Sequence, residues 1–346
     1  MAVLEKGRIA WLDAVKGIAI ALVVAFHCIG GEWFYPFSTF MMPLFFVAAG
    51  YSLNLQKWQA RKLEFFWSRV RRILVPYFLM EICFWPLWSV RGLYMPPVGT
   101  RLPPLEALAG IFEGNCASLP LIALWFLPCF FLAENIFLWA FPDRPGKTPI
   151  VRDILAALAL SALGYGISCF VHLPWGLDIA LFVQGYLMLG RWLRLVGVQR
   201  LSDAWCVLLP VLLIALQVYV NGSFDMASRT YGVNPLLAYI SNIGGCIMVM
   251  RIMQWLVRES EAFLVEMGRR SMAIYILHPL VQIIITDILL STIVEGDYGT
   301  IFYVWQAGVP IAILGILLPI YVSRHWAQKP FCVIWDSKSL LWENDL

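Results

Sequence analysis

The chain has 346 residues, 61% of them hydrophobic and 14% charged, with a formal net charge of +3 and a mean hydropathy of +0.76. Soluble globular chains are about 45–50% apolar and about 25% charged, and disordered chains are poorer still in apolar residues, so both classes are excluded. The small net charge gives no reason to expect a nucleic-acid partner, whereas 15% aromatic content with 16 Trp suits a protein with two membrane–water interfaces.

A helix needs roughly 20 apolar residues to cross about 30 Å of hydrocarbon. In chain order, about ten stretches are read as spans: 15–31, 38–55, 73–90, 119–141, 151–171, 177–195, 204–220, 233–256, 271–290 and 301–323. Alternating barrel-type strands are absent, so the expected fold is an all-α integral membrane protein. The first stretch opens on Asp13 and Lys16 and lacks a small-residue cleavage site, unlike a signal peptide. Between the second and third stretches, KWQARKLEFFWSRVRR (57–72) is basic and amphipathic. It reads equally as an interfacial helix on anionic lipid and as a site for an anionic cytosolic ligand. The Pro- and Gly-rich segment 91–118 reads as a partly ordered cap or a short re-entrant piece. No soluble domain is seen, so 1–346 is expected to be a single transmembrane domain with a short cytoplasmic tail from about 324.

Lys and Arg set the orientation. With ten spans and both termini in the cytoplasm, all of the 25 basic residues except Arg91, Arg101 and Arg229 fall on the inner side. None of the eight cysteines forms a C-x-x-C pair, and most lie within spans. They read as small apolar filler, with neither metal nor disulfide expected.

Ionisable groups inside spans are costly and usually face a cavity or a partner. In the first span Lys16 and His27 are 11 residues apart, which puts them on one helical face about 16 Å apart along the axis. Asp13 is spaced to pair with Lys16 at i,i+3. His278 is about 12 Å beyond Arg269 and Arg270, Glu81 about 13 Å beyond Arg72, and Glu134 at a comparable depth from Asp143. Each alone is readable as a tie between helices. Together, His27, His278, Glu81 and Glu134 predict a polar chamber near the midplane. Asp178 and Asp287 form a shallower outer set, read either as helix-start or structural carboxylates or as contacts for an extracellular acceptor.

RIAWLDAVKGIAIALVVAFHC (8–28) resembles the opening of membrane acyltransferase family 3, with Arg8, Asp13, Lys16, Gly17 and His27 on the family's positions. FMMPLFFVAAGYSL (40–53) is similar to the family's second-span phrase, with Met41 where many members have His and Ala49 where they have Ser. RRILVPYF (71–78), LWFLPCFF (124–131), LPWGLDIALFVQGYLMLG (173–190) and GRRSMAIYILHP (268–279) follow in the family's order. The nearest subgroups look like the fucose 4-O-acetylase-like and enterobacterial-antigen acetyltransferase-like members. The resemblance implies transfer of an acyl group, usually acetyl, from cytosolic acetyl-CoA to a sugar hydroxyl of a surface polysaccharide or its lipid-linked precursor. The expected place is a bacterial inner membrane, and the expected partners are acyl-CoA, a glycan or glycolipid acceptor and the bilayer. A homodimer or a glycan-assembly partner is left open.

On that reading Arg8, Lys16, Arg71 and Arg72 are expected to bind the phosphorylated head of the donor. His27 is expected to serve as general base or as nucleophile. Asp13 would brace Lys16, and His278 would donate to an oxyanion or orient His27. Glu81 and Glu134 complete the catalytic set, and Asp178 and Asp287 are candidates for acceptor binding. The rival readings are a transporter or flippase with a midplane polar site, and a structural partner in glycan assembly. Against the transporter stands the lack of a visible internal repeat.

Overall fold

The computed structural model describes residues 9–29, 31–94, 102–114, 119–142, 151–257, 263–293 and 301–326. In chain order these form α1 (Ala10–Ile29), α2 (Gly31–Ser52), α3 (Leu55–Gln59) and α4 (Lys62–Arg69), which continues through a π-helical turn (Val70–Leu74) into α5 (Val75–Tyr94). Next come α6 (Pro104–Glu113), α7 (Phe126–Ala140) behind a 3-10 turn, α8 (Val151–Ser168), α9 (Leu177–Phe182), α10 (Gln184–Val196) and α11 (Asp203–Leu216). A two-residue antiparallel hairpin, β1 (Phe224–Asp225) and β2 (Thr230–Tyr231), precedes α12 (Pro235–Leu256), α13 (Phe263–Arg269), α14 (Ser271–Ile293) and α15 (Ile301–Trp326).

The protein is a helical, multi-pass membrane protein. Among the described residues six helical segments are long and apolar enough to cross a bilayer: Ala10–Ile29, Lys62–Val90, Ile122–Ala140, Val151–Ser168, Asp203–Asn221 and Pro235–Leu256. They become seven if α9 and α10 form one bent span. The other expected spans are helical but do not reach this measure. α2 is long enough at 22 residues, but Ser, Thr, Tyr and Pro dilute its hydropathy. α14 and α15 are helices of 23 and 26 residues, and their parts with described side chains, Ser271–Ile285 and Gly308–Ser323, are apolar. The tail beyond 326 and most of the 91–118 cap lie outside the described residues or have undescribed side chains.

The chain falls into two compact units. The first comprises Met1–Leu53, Tyr186–Met226 and Thr230–Leu346. α1 is its axis, packed by α2, α12, α13, α14 and α15, with Ala14, Val15, Ala19, Ile20 and Val24 fully buried. Lipid tails are as apolar as Leu, so close backbone approach, rather than hydrophobicity, holds such helices together. A methyl group added at Gly17 would stand 2.0 Å from the Leu264 carbonyl oxygen, and one at Gly268 would stand 1.7 Å from the Asp13 oxygen. α1 and α13 therefore meet backbone to backbone. α11 turns Trp205, Leu208 and Leu212 outward, as a face solvated by lipid does.

The second unit comprises Asn54–Gly185 and Ala227–Arg229. α7 is its buried centre, in contact with α3, α4, α9 and the π-helical turn. Its helices are tied by side chains that reach backbone oxygens: the Tyr77 hydroxyl donates to the Ile111 carbonyl at 2.6 Å, and the Trp175 indole donates to Phe112 at 2.7 Å. On α8, Leu155, Leu158 and Leu163 are exposed.

Candidate functional site

In the first unit the polar residues of α1 occupy two levels. At its start the Lys16 ammonium lies 3.2 Å from Asp13 Oδ1, and both side chains are almost fully buried. The Gly17–Gly268 contact brings the end of α13 alongside, and Arg269 Nε stands 3.9 Å from Asp13 Oδ2. Two cations thus share one carboxylate. The Arg269 side chain is 31% exposed and makes no hydrogen bond among the described residues. Its forked donors are free for an anion. Arg270 is committed instead: it donates to Glu266 Oε1 at 2.6 Å and to the Ser323 hydroxyl at 2.8 Å.

Eleven residues further along α1, about 16 Å by helical rise, the His27 ring meets that of His278. Their centroids are 5.5 Å apart and their planes tilted by 35°. Gln282 on α14 donates to the His27 carbonyl at 2.7 Å, which fixes α14 against α1 at this level. Gly315 on α15 lies against Val24 and the His278 Cβ, leaving room for the imidazole pair. His278 is fully buried. Its Nδ1 is 3.1 Å from the Ile274 carbonyl, and its Nε2 has no hydrogen-bond partner.

The second unit holds the carboxylates. Glu134 on α7 pairs with Arg69 Nε at 2.9 Å, with both side chains about 1% exposed. The Arg69 guanidinium also lies 4.5 Å above the Phe65 ring. Glu81 is fully buried: Oε2 accepts the Leu121 N–H at 3.2 Å, while Oε1 has no partner. Asp178 is fully committed. It receives Arg229 Nε at 2.9 Å and Nη2 at 3.2 Å, the Ser168 hydroxyl at 2.9 Å and the Leu173 N–H at 3.3 Å. Arg229 takes a left-handed φ of 57° in making this clasp.

The four groups expected in one chamber are thus divided two and two between the units: His27 with His278 in the first, Glu81 and Glu134 in the second. Asp13 and Lys16 meet as their spacing requires. Arg71 is exposed and Arg72 half-buried, both on the π-helical turn. Arg8 lies outside the described residues, as do Cys116 and Asp143, and Asp287 lies on α14 with its side chain undescribed. Sequence reasoning did not foresee Arg269 beside Asp13, Arg69 on Glu134, Arg229 on Asp178, or Gln282 at the His27 carbonyl. The one usable signal was that a carboxylate buried in its charged form calls for a cation. It did not say which cation.

A family model described as an acyltransferase domain matches residues 9–324. Neither a curated protein nor a solved structure matches the chain.

Proposed function

The chain belongs to acyltransferase family 3 and is a membrane acyltransferase, and from that premise we propose that it transfers an acetyl group from cytosolic acetyl-CoA to a sugar hydroxyl. The acceptor is a surface polysaccharide or its lipid-linked precursor, in keeping with the fucose 4-O-acetylase-like and enterobacterial-antigen acetyltransferase-like resemblance. The carrying observation is the division of α1 into a cationic end and an imidazole end. Lys16 and Arg269 surround Asp13 at one level, and His27 faces His278 about 16 Å away on the same helix.

A donor with a phosphorylated head and a long thin arm suits that arrangement. Arg269, with uncommitted forked donors, binds a phosphate oxygen pair bidentately, and Lys16 adds a point charge. Asp13 keeps the two cations together and limits their repulsion. The arm follows α1 to the imidazole level. There a His27 nitrogen takes the proton of the acceptor hydroxyl as its oxygen attacks the thioester carbonyl. The tetrahedral adduct collapses with loss of the CoA thiolate, which takes the proton back from His27. The products are the sugar ester and CoA thiol, and His27 ends as it began.

We place the protein in a bacterial inner membrane with about ten spans and both ends in the cytoplasm. The inner-side excess of Lys and Arg supports this arrangement. The test is acyl transfer by the purified full chain in lipid nanodiscs, with radiolabelled acetyl-CoA and the glycan fraction of the source membrane. Wild type is expected to label the glycan and His27→Ala to lose that label at equal protein. Undiminished labelling by His27→Ala would remove the imidazole from the chemistry. Label retained on the protein itself would replace direct transfer with an acyl-imidazole route.

A further inference from the structure

The His278 ring is built to accept, and we propose that it is the positioning residue of His27. On this account its Nε2 takes the hydrogen bond of one His27 N–H, so that the other His27 nitrogen is presented to the acceptor hydroxyl as the base. The inference rests on the acyl-transfer reading above and deepens it.

Pro279 has no N–H, so the Tyr275 carbonyl one turn earlier loses its helical donor. The His278 ring turns back along the same stretch of helix, and its Nδ1 lies 3.1 Å from the Ile274 carbonyl. A carbonyl oxygen only accepts, so Nδ1 carries the proton. In a neutral imidazole the other nitrogen is then a bare acceptor. That nitrogen, Nε2, is fully buried and has no hydrogen-bond partner among the described residues. A buried acceptor left unmatched costs free energy, and such orphans in native structures call for an explanation.

The ring that faces this pair is His27, at 5.5 Å between centroids. At this separation the two rings are not hydrogen-bonded. Catalytic hydrogen bonds are often loose without substrate and tighten in the complex. Gln282 donates to the His27 carbonyl and holds the α1 backbone to α14 beside the two rings. This arrangement excludes the role of oxyanion donor for His278, because its only N–H is spent on the Ile274 carbonyl. It also identifies what Asp does in a serine-protease triad, fixing tautomer and orientation, with a neutral imidazole in its place.

The experiment has two arms on the full chain in nanodiscs. With histidines labelled in nitrogen-15, NMR should show His278 as the Nδ1-protonated tautomer, and its Nε2 resonance should shift in His27→Ala. The opposite tautomer, a cationic ring, or an Nε2 signal indifferent to His27→Ala each overturns the proposal, and this arm needs no turnover. In the second arm, His278→Met should lower kcat about 10²-fold or more, leave KM for acetyl-CoA within about twofold and leave the unfolding midpoint unchanged. His278→Gln, whose Oε1 accepts, should recover part of kcat. Unchanged kcat in His278→Met, or equal loss in both folded variants, defeats the positioning role. A wild-type chain that neither binds nor uses acetyl-CoA while showing the expected tautomer and coupling defeats the acyl-transfer reading instead.

Discussion

The Arg69–Glu134 pair offers the sharpest test of whether an intramembrane carboxylate in this protein is catalytic or structural. Glu134→Leu leaves a guanidinium 1% exposed with its carboxylate gone. Removing one partner of a buried pair costs about 3–5 kcal/mol, because the survivor stays buried without the charge opposite it. That is an unfolding constant changed by about 10²- to 10⁴-fold. Arg69→Met should cost a similar amount and in addition lose the stack on Phe65, which is 4.5 Å away. The double variant Arg69→Met/Glu134→Leu removes both charges and keeps most of the volume, so it should be markedly milder than either single change. Unfolding of the purified chain in bicelles, followed with a trapping ligand, reads these differences, and labelled glycan acetylation is measured on the same samples. The expected result is a stable, active double variant. Single variants costing under about 1 kcal/mol, the range of an exposed pair, would refute the buried-charge reasoning. A stable double variant with no transfer would show that Glu134 takes part in the reaction.

Three further outcomes follow from the same geometry. Arg269→Gln should raise KM for acetyl-CoA about 10-fold or more with little change in kcat, since one charge-assisted hydrogen bond is worth about 1.5–3 kcal/mol; steady-state kinetics checks it. Gly268→Val should lower the unfolding midpoint sharply, because even its Cβ would sit 1.7 Å from the Asp13 oxygen, whereas Gly166→Ala, with nothing within 4 Å, should be harmless. Asp178→Asn should destabilise by about 2–5 kcal/mol through the loss of charge opposite a 6%-exposed Arg229, and urea or thermal unfolding reports it.

Features governed by local spacing were legible in the sequence. Asp13 and Lys16 are three residues apart on one helix, and their contact follows from helical geometry alone. The depth count that placed His27 and His278 at one level needed only the rise per residue, and in the fold their rings do meet. Depth gives no azimuth, however. Glu81 and Glu134 share that nominal level but belong to another unit, each with its own partner. Arg269 was hidden for a different reason. Its place beside Asp13 depends on two glycines, Gly17 and Gly268, that are distant in the chain and meet through their backbones. Arg69 and Arg229 had been read only as markers of orientation, because hydropathy does not distinguish a cation at the rim from one drawn inward by a carboxylate.

On the acyl-transfer reading proposed above, the continuity of α1 sets how the protein would measure its donor. Lys16 and His27 are joined by an unbroken helix with neither proline nor a π-turn between them, so the interval between anion grip and imidazole is a ruler with about 1.5 Å divisions. Each division also carries a rotation of about 100°. Inserting one residue after Ala21 would barely lengthen the ruler but would swing His27 away from His278. Inserting four would nearly restore the phase and lengthen the reach by about 6 Å. Phase and length are thereby separable, and a longer-armed acyl carrier would select for the second kind of change and never the first.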